Sequence, residues 1–218
     1  MPDRPTTPAL LGLIIALLGP AVVGLASSRL VGKVTPLAAN LAGQIGLLLV
    51  LAAVLAIVVV WEHQPLASIG IKSPKLSSLV WGLLLAAFFV FVYSPALFWV
   101  LKRLGQGGFE AGLSRLALLP AWYRLVAVLI GGAVEEVLYR GFAIERLKLL
   151  TGRYWIAAFV ASLAFGVAHA PLWGWAPALL TAVSGLLLSG FYIWRRDLWA
   201  NIIAHAATDF VGIVVMLR

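Results

Sequence analysis

Long apolar runs separated by short polar segments dominate the chain, each run near the roughly 20 residues that a helix needs to cross a bilayer. The pattern predicts seven spans, over about 8–26, 37–61, 78–101, 121–144, 155–170, 176–194 and 198–217. Gly19-Pro20 is expected to interrupt the first, and Pro95 to kink the third before Lys102-Arg103 ends it. Residues 62–76 read as a loop that lies at the interface. Residues 104–120, with Glu110 and Arg115 in a moderately apolar stretch, read as an amphipathic interfacial helix or a re-entrant piece, and would add an eighth crossing if they span. Pro171 should stop the fifth span before Trp173 and Trp175, and Asp197 is placed as N-cap of the last.

Composition turns this pattern into a class. At 63% hydrophobic and 11% charged residues, with a mean hydropathy of +1.05, the chain is too apolar for a soluble domain. We read it as an all-α polytopic transmembrane bundle, residues 1–218 forming one integral membrane domain. The first span is an anchor rather than a signal peptide, because its apolar run exceeds a signal core and the flank holding Asp3 and Arg4 is not basic, although small Ala26 and Ser27 follow. The net charge of +8 belongs to span ends and lipid headgroups, with no basic patch interleaved with aromatics for nucleic acid. With no cysteine, disulfides, thiolate metal sites and a cysteine nucleophile are excluded.

Loop charges give an orientation. Arg4, Lys72, Lys75, Arg146, Lys148, Arg153, Arg195 and Arg196 fall on one side, against Arg29, Lys33, Lys102, Arg103, Arg115 and Arg218 on the other. The loops after spans four and six hold five basic residues and the loop after span five none, so those two loops are expected in the cytoplasm, and the amino terminus with them unless 104–120 adds a crossing.

Candidate chemistry concentrates in 131–141, where Glu135, Glu136 and Arg140 interrupt an apolar helix in a protein with only eight acids. Ionisable groups at membrane depth are costly, face a polar interior and mark function. Glu136 and Arg140 have the order and spacing of a same-face ion pair, whereas Glu135 points about 100° away. Two ionised neighbours repel, which favours a division of roles: Glu136 held ionised by Arg140, Glu135 freer to exchange a proton. Gly131 and Gly132, one turn earlier, leave space for a close helix or a substrate backbone. Phe165 and His169, and then His205 and Asp209, each use i,i+4 spacing, so Asp209 can fix the imidazole of His205 directly or through a water while Phe165 walls the pocket. His63 lies in a loop and has no assigned role.

If spans four, five and seven pack together, these groups meet at one depth. Glu135 lies about 7 Å of helix rise from Arg140, placed at the interfacial end, which suits a cavity opening to the cytoplasm. A carboxylate there can deprotonate water for attack on a carbonyl, with a histidine stabilising the oxyanion. Other readings of the same residues are a structural ion pair in a non-proteolytic immunity or scaffold protein, and a proton-coupled transporter, for which no inverted repeat speaks. Zinc bound by Glu135, His169 and His205 is a further one, although no His-Glu-x-x-His motif is present.

Glu135-Glu136-x-x-x-Arg140, Phe165-x-x-x-His169 and His205-x-x-x-Asp209 resemble, in order, the motifs of the CPBP family, the CAAX proteases and bacteriocin-processing enzymes also called Abi proteins. The likeness covers about Val126 to Val214 and includes Tyr139-Arg140-Gly141-Phe142. It implies a catalytic core over 121–217 with 1–120 as accessory spans. It also implies an intramembrane glutamic endopeptidase without a cofactor, acting on a membrane-tethered peptide or lipidated protein in a prokaryotic plasma membrane. The position of Glu135 would activate water, Glu136 would support it, and His169 and His205 would bind the oxyanion or the water. Eukaryotic members usually carry Asn where this chain has Asp209. A carboxylate donates no hydrogen bond unless protonated, so Asp209 is better cast as the orienter of His205 or as a neutral acid. Relatives of this short form are mostly prokaryotic, and bacteria lack prenylated CAAX proteins of their own, so the substrate class extends to bacteriocin-like peptides.

Overall fold

The computed structural model describes residues 7–217; Asp3, Arg4 and Arg218, which entered the charge argument, lie outside them. Eight helices follow in order: α1 Thr7–Ser28, α2 Pro36–Trp61, α3 Leu76–Arg103, α4 Glu110–Ala117, α5 over 121–151, α6 Tyr154–Trp173, α7 Trp175–Arg195 and α8 Leu198–Val215. Six of them are long and apolar enough to cross a membrane. Helix α5 falls outside that set because of its charges, although its length of about 45 Å exceeds the hydrocarbon core. The fold is an all-α polytopic bundle. Residues 104–120 add no eighth crossing, because α4 has 8 residues and spans only about 12 Å.

Local chemistry sets the starts of helices. Thr35 caps α2 by accepting from the Ala38 backbone N–H, with Pro36 at the first helical position, and Asp197 caps α8 by accepting from Ala200. The prolines behave differently from the sequence expectation. Helix α1 runs unbroken through Pro20, and α6 runs through Pro171 to Trp173, ending at Gly174, whose φ of 86° continues no helix. Packed neighbours and the apolar surroundings keep such helices intact, since leaving more backbone unpaired in lipid costs more than the single lost N–H. Pro95 is accommodated by a widened π turn over Phe89–Tyr93 just before it.

Helix α5 is the centre of the bundle, in contact with α1, α2, α6, α7 and α8. Helices α6 and α7 form a tight antiparallel pair. A Cβ at Gly166 would stand 2.6 Å from the Ala178 carbonyl, so only glycine allows the approach. Helix α1 packs on α2 and α6, and α3 on α8. The apolar core joins Ala16, Val54 and Val58 of the first two helices to Leu138, Phe142 and Ile144 of α5. Outward faces carry exposed Ile14, Leu18, Phe91, Trp99, Phe159 and Leu179, the surface that lipid covers.

Candidate active site

The site is built where α5 changes its winding. Over Glu136–Ala143 the helix takes π geometry, and all eight of these residues are buried. A wider turn inside a helix needs surrounding packing to hold it, and such turns concentrate at functional positions. Within this stretch Arg140 Nη1 donates to Glu136 Oε1 at 2.7 Å, both side chains having no solvent exposure. Arg140 Nη2 donates to the Gly185 carbonyl at 3.2 Å, and the guanidinium lies over the Phe165 ring, 4.3 Å from its centroid. Glu136 is further held by Asn201 Nδ2 at 3.2 Å on Oε2 and by His205 Nδ1 at 2.8 Å on Oε1. An ionised, fully engaged carboxylate accepts, so Nδ1 of His205 carries its hydrogen.

One residue earlier the surroundings change. Glu135 Oε2 lies 3.8 Å from His169 Nε2 and 3.7 Å from His205 Nε2, too far for direct hydrogen bonds and close enough for one water to bridge all three. Nδ1 of His169 donates to the Phe165 carbonyl at 2.7 Å, which leaves Nε2 turned toward Glu135. Phe165, 2% exposed, stands between Arg140 and the two imidazoles. The structure thus brings Glu135, Glu136, Arg140, Phe165, His169 and His205 into one cluster on α5, α6 and α8.

Asp209 sits at the edge of that cluster. Its Oδ2 is 3.5 Å from His205 Nε2, and its side chain is 38% exposed. Glu136 meets Nδ1 of His205 while Asp209 faces Nε2, so two carboxylates flank the ring, one at each nitrogen. Asn201, one turn before His205, escaped the sequence reading. It bridges Glu136 and the Leu188 carbonyl at 2.9 Å, and the available signal was an uncapped amide in an apolar span at i−4 from a histidine.

Glu135, His169, His205 and Asp209 line a cavity of ≈ 840 Å³. Its other walls come from the start of α2, the second half of α3, α4, the first turn of α5 and the end of α8, including Gln44, Phe98, Phe109, Arg124 and Leu217. Helix α4 is fixed over this end by edge-to-face contacts of Phe109 with Phe98 and Trp173 and by Arg115, which donates to the Pro171 carbonyl. The cavity therefore reaches the end of the bundle where α5 begins. At the opposite end Glu145 binds Tyr192 and Arg196, and Glu62 binds Arg146. This separates two sequence expectations: if the loops after α5 and α7 are cytoplasmic, the cavity opens to the other side. The depth argument that joined them took Arg140 as interfacial, whereas it is fully buried and α5 continues to Thr151. Among the described residues, no group of three or more His, Asp or Glu is arranged to hold a metal ion.

Comparison with known proteins matches residues 117–211 to one family model, described as type II CAAX prenyl endopeptidase Rce1-like. No curated protein and no solved structure matches the chain. The matched segment begins just before α5 and ends within α8, so it contains all the clustered side chains. A multi-pass membrane bundle surrounds it, and over this segment, a little under half of its length, the chain is similar to the CAAX protease family.

Proposed function

We propose that the protein is an intramembrane glutamic endopeptidase in which Glu135 activates the hydrolytic water. The observation that carries this reading is the unequal state of the two glutamates. Glu136 is fully buried and committed to Arg140, His205 and Asn201, while Glu135 faces both Nε2 atoms at the floor of the cavity. A water between Glu135 and His169 gives its proton to Glu135, its oxygen attacks the scissile carbonyl, and the carbonyl oxygen becomes an oxyanion. His205, with Glu136, Glu135 and Asp209 around it, donates from a protonated Nε2 to that oxyanion. Glu135 then passes its proton to the leaving amide nitrogen as the C–N bond breaks, which yields a carboxylate and an amine. Glu136 and Asn201 act through His205 as positioning residues, and Arg140 through Glu136.

The substrate is a peptide tethered to or lying in the membrane, since the cavity sits within the bundle and its walls are chiefly apolar. The family description points to a prenylated C-terminal peptide as the first probe. Purified protein in detergent should cleave a fluorogenic S-farnesyl peptide, and Glu135→Gln should reduce the rate by at least about a hundredfold, near the upper part of general-base contributions, with unchanged folding. Activity of Glu135→Gln equal to wild type would refute the assignment. Loss of wild-type activity on chelation, restored by zinc alone, would replace the water-activating glutamate by a metal mechanism.

A further inference from the structure

The cavity has a second polar end that the hydrolytic cluster does not use. Arg124, in the first turn of α5, is only 7% exposed and lines the cavity. Its Nη1 donates to the Ile213 carbonyl at 3.1 Å and to the Leu217 carbonyl, so one corner of the guanidinium caps the end of α8. Nε is buried without an acceptor, Nη2 makes no hydrogen bond, and no carboxylate lies within 4 Å, all among the described residues. The Nε–Nη2 edge is the one that takes a carboxylate through two parallel hydrogen bonds. A buried cation with that edge unused is costly unless something anionic completes it.

Register places this cation relative to the reacting end. Arg124, Val128, Gly131 and Glu135 all line the cavity and recur at spacings of four, three and four in the regular part of α5. Eleven residues bring Glu135 back to within about 20° of the face of Arg124, about 16 Å further along the axis. Between them a Cβ at Gly131 would meet nothing within 4 Å, so the floor of the groove is open there. Allowing about 3 Å for the contact at each end, about 10 Å remains, which an extended chain fills with about three residues.

We propose that Arg124 binds the C-terminal carboxylate of the substrate, and thereby sets how far from the chain end the bond at Glu135 is cut. The proposal rests on the reading of Glu135 as the reacting end, but its test does not require turnover. An anionic lipid headgroup offers the same chemistry to Arg124, and the experiment separates the two sources.

Binding of a fluorescent S-farnesyl peptide is measured by anisotropy on the intact protein carrying Glu135→Gln, with the peptide as free acid or as C-terminal amide, in nanodiscs of phosphatidylcholine with or without phosphatidylglycerol. The acid should bind about 10- to 100-fold more tightly than the amide, the range for hydrogen bonds to a charged group. Adding Arg124→Gln should bring the two peptides within about twofold while leaving amide binding in place, and Arg124→Lys should restore part of the difference. Retained amide binding shows that the variant is folded; if Arg124→Gln does not fold, the acid-to-amide ratio of the parent protein and the Arg124→Lys variant decide. Equal binding of acid and amide, no binding of either, or discrimination that survives Arg124→Gln overturns the proposal. Equal binding together with phosphatidylglycerol stabilisation that depends on Arg124 assigns the site to a headgroup, and also overturns it. Arg124-dependent discrimination in a protein that never cleaves leaves this inference standing and removes the proteolytic one; cleavage with no preference for the acid does the reverse.

Discussion

Removing the guanidinium of Arg140 tests whether the buried pair in α5 is a necessity of the site or a replaceable prop. Both side chains have no solvent exposure and meet at 2.7 Å. With charge centres about 4 Å apart and an effective dielectric constant near 20, the attraction is about 4 kcal/mol. Arg140→Met keeps most of the apolar stem against Phe165 but leaves Glu136 as a buried carboxylate facing only Asn201 and His205. Breaking one side of such a pair costs about 3–5 kcal/mol, a large part of any domain's stability. Glu136→Gln should cost a similar amount, because it strands Arg140 with the Gly185 carbonyl as its remaining hydrogen-bond acceptor. The double variant removes both charges and should be more stable than the sum of the singles by at least about 2 kcal/mol. Unfolding in mixed micelles of increasing denaturing detergent, followed by near-ultraviolet circular dichroism, measures all three. A cost below about 1 kcal/mol for Arg140→Met, or additivity of the two changes, would refute the burial argument.

Two further outcomes follow from the same geometry. Gly131→Leu places a side chain into open cavity, with no atom within 4 Å of its Cβ, so melting should shift little while peptide cleavage falls at least about tenfold through KM; a matched loss of stability and activity would mean that the groove floor is not free. Because the chain has no cysteine, single cysteines at Lys33, at the cavity end, and Lys148, at the far end, report orientation by labelling of intact cells with a membrane-impermeant maleimide. The loop-charge rule predicts labelling at position 33 and protection at 148; the reverse pattern places the cavity on the cytoplasmic side.

Period and hydropathy made the crossings legible, because a span must satisfy its own backbone and cover about 30 Å whatever surrounds it. The ends were less legible where proline intervened. Pro20 and Pro171 are read as stops by local rules, yet helix packing holds both within continuous helices. Spacing within α5 and α8 placed Glu136 with Arg140 and turned Glu135 elsewhere, since those relations depend on one helix alone. What lies across helices was not available in that way. The partners Asn201 to Glu136 and Glu136 to His205 join residues 65 and 69 apart, and the place of Asn201 one turn before His205 does not by itself name Glu136 as its partner. The end at which the cavity opens depends on how α3, α4 and the last turn of α8 close around it, a property of tertiary packing.

The surroundings of His205 show how a relation along one helix leaves a second partner, from another helix, out of view. His205 and Asp209 do share a face of α8, and their nearest atoms are 3.5 Å apart. The imidazole has two nitrogens, however, and Glu136 of α5 takes Nδ1 at 2.8 Å from full burial, where the hydrogen bond is strong and the geometry fixed. Asp209, more than a third exposed at the cavity wall, faces Nε2, the atom that turns toward Glu135. With Nδ1 held by Glu136, we expect the ring to keep its aim without that second carboxylate. Asp209→Asn should therefore retain activity within about tenfold, since an exposed charge at this distance contributes little, and its amide can donate to an oxyanion in turn. Glu136→Gln, which changes the group that orients the ring, should lose at least about a hundredfold, in the range found for groups that hold a catalytic imidazole. Initial rates on the same farnesyl peptide compare the two variants. A hundredfold loss in Asp209→Asn beside a mild effect of Glu136→Gln would return the orienting role to Asp209 and leave the buried glutamate as part of the bundle's packing.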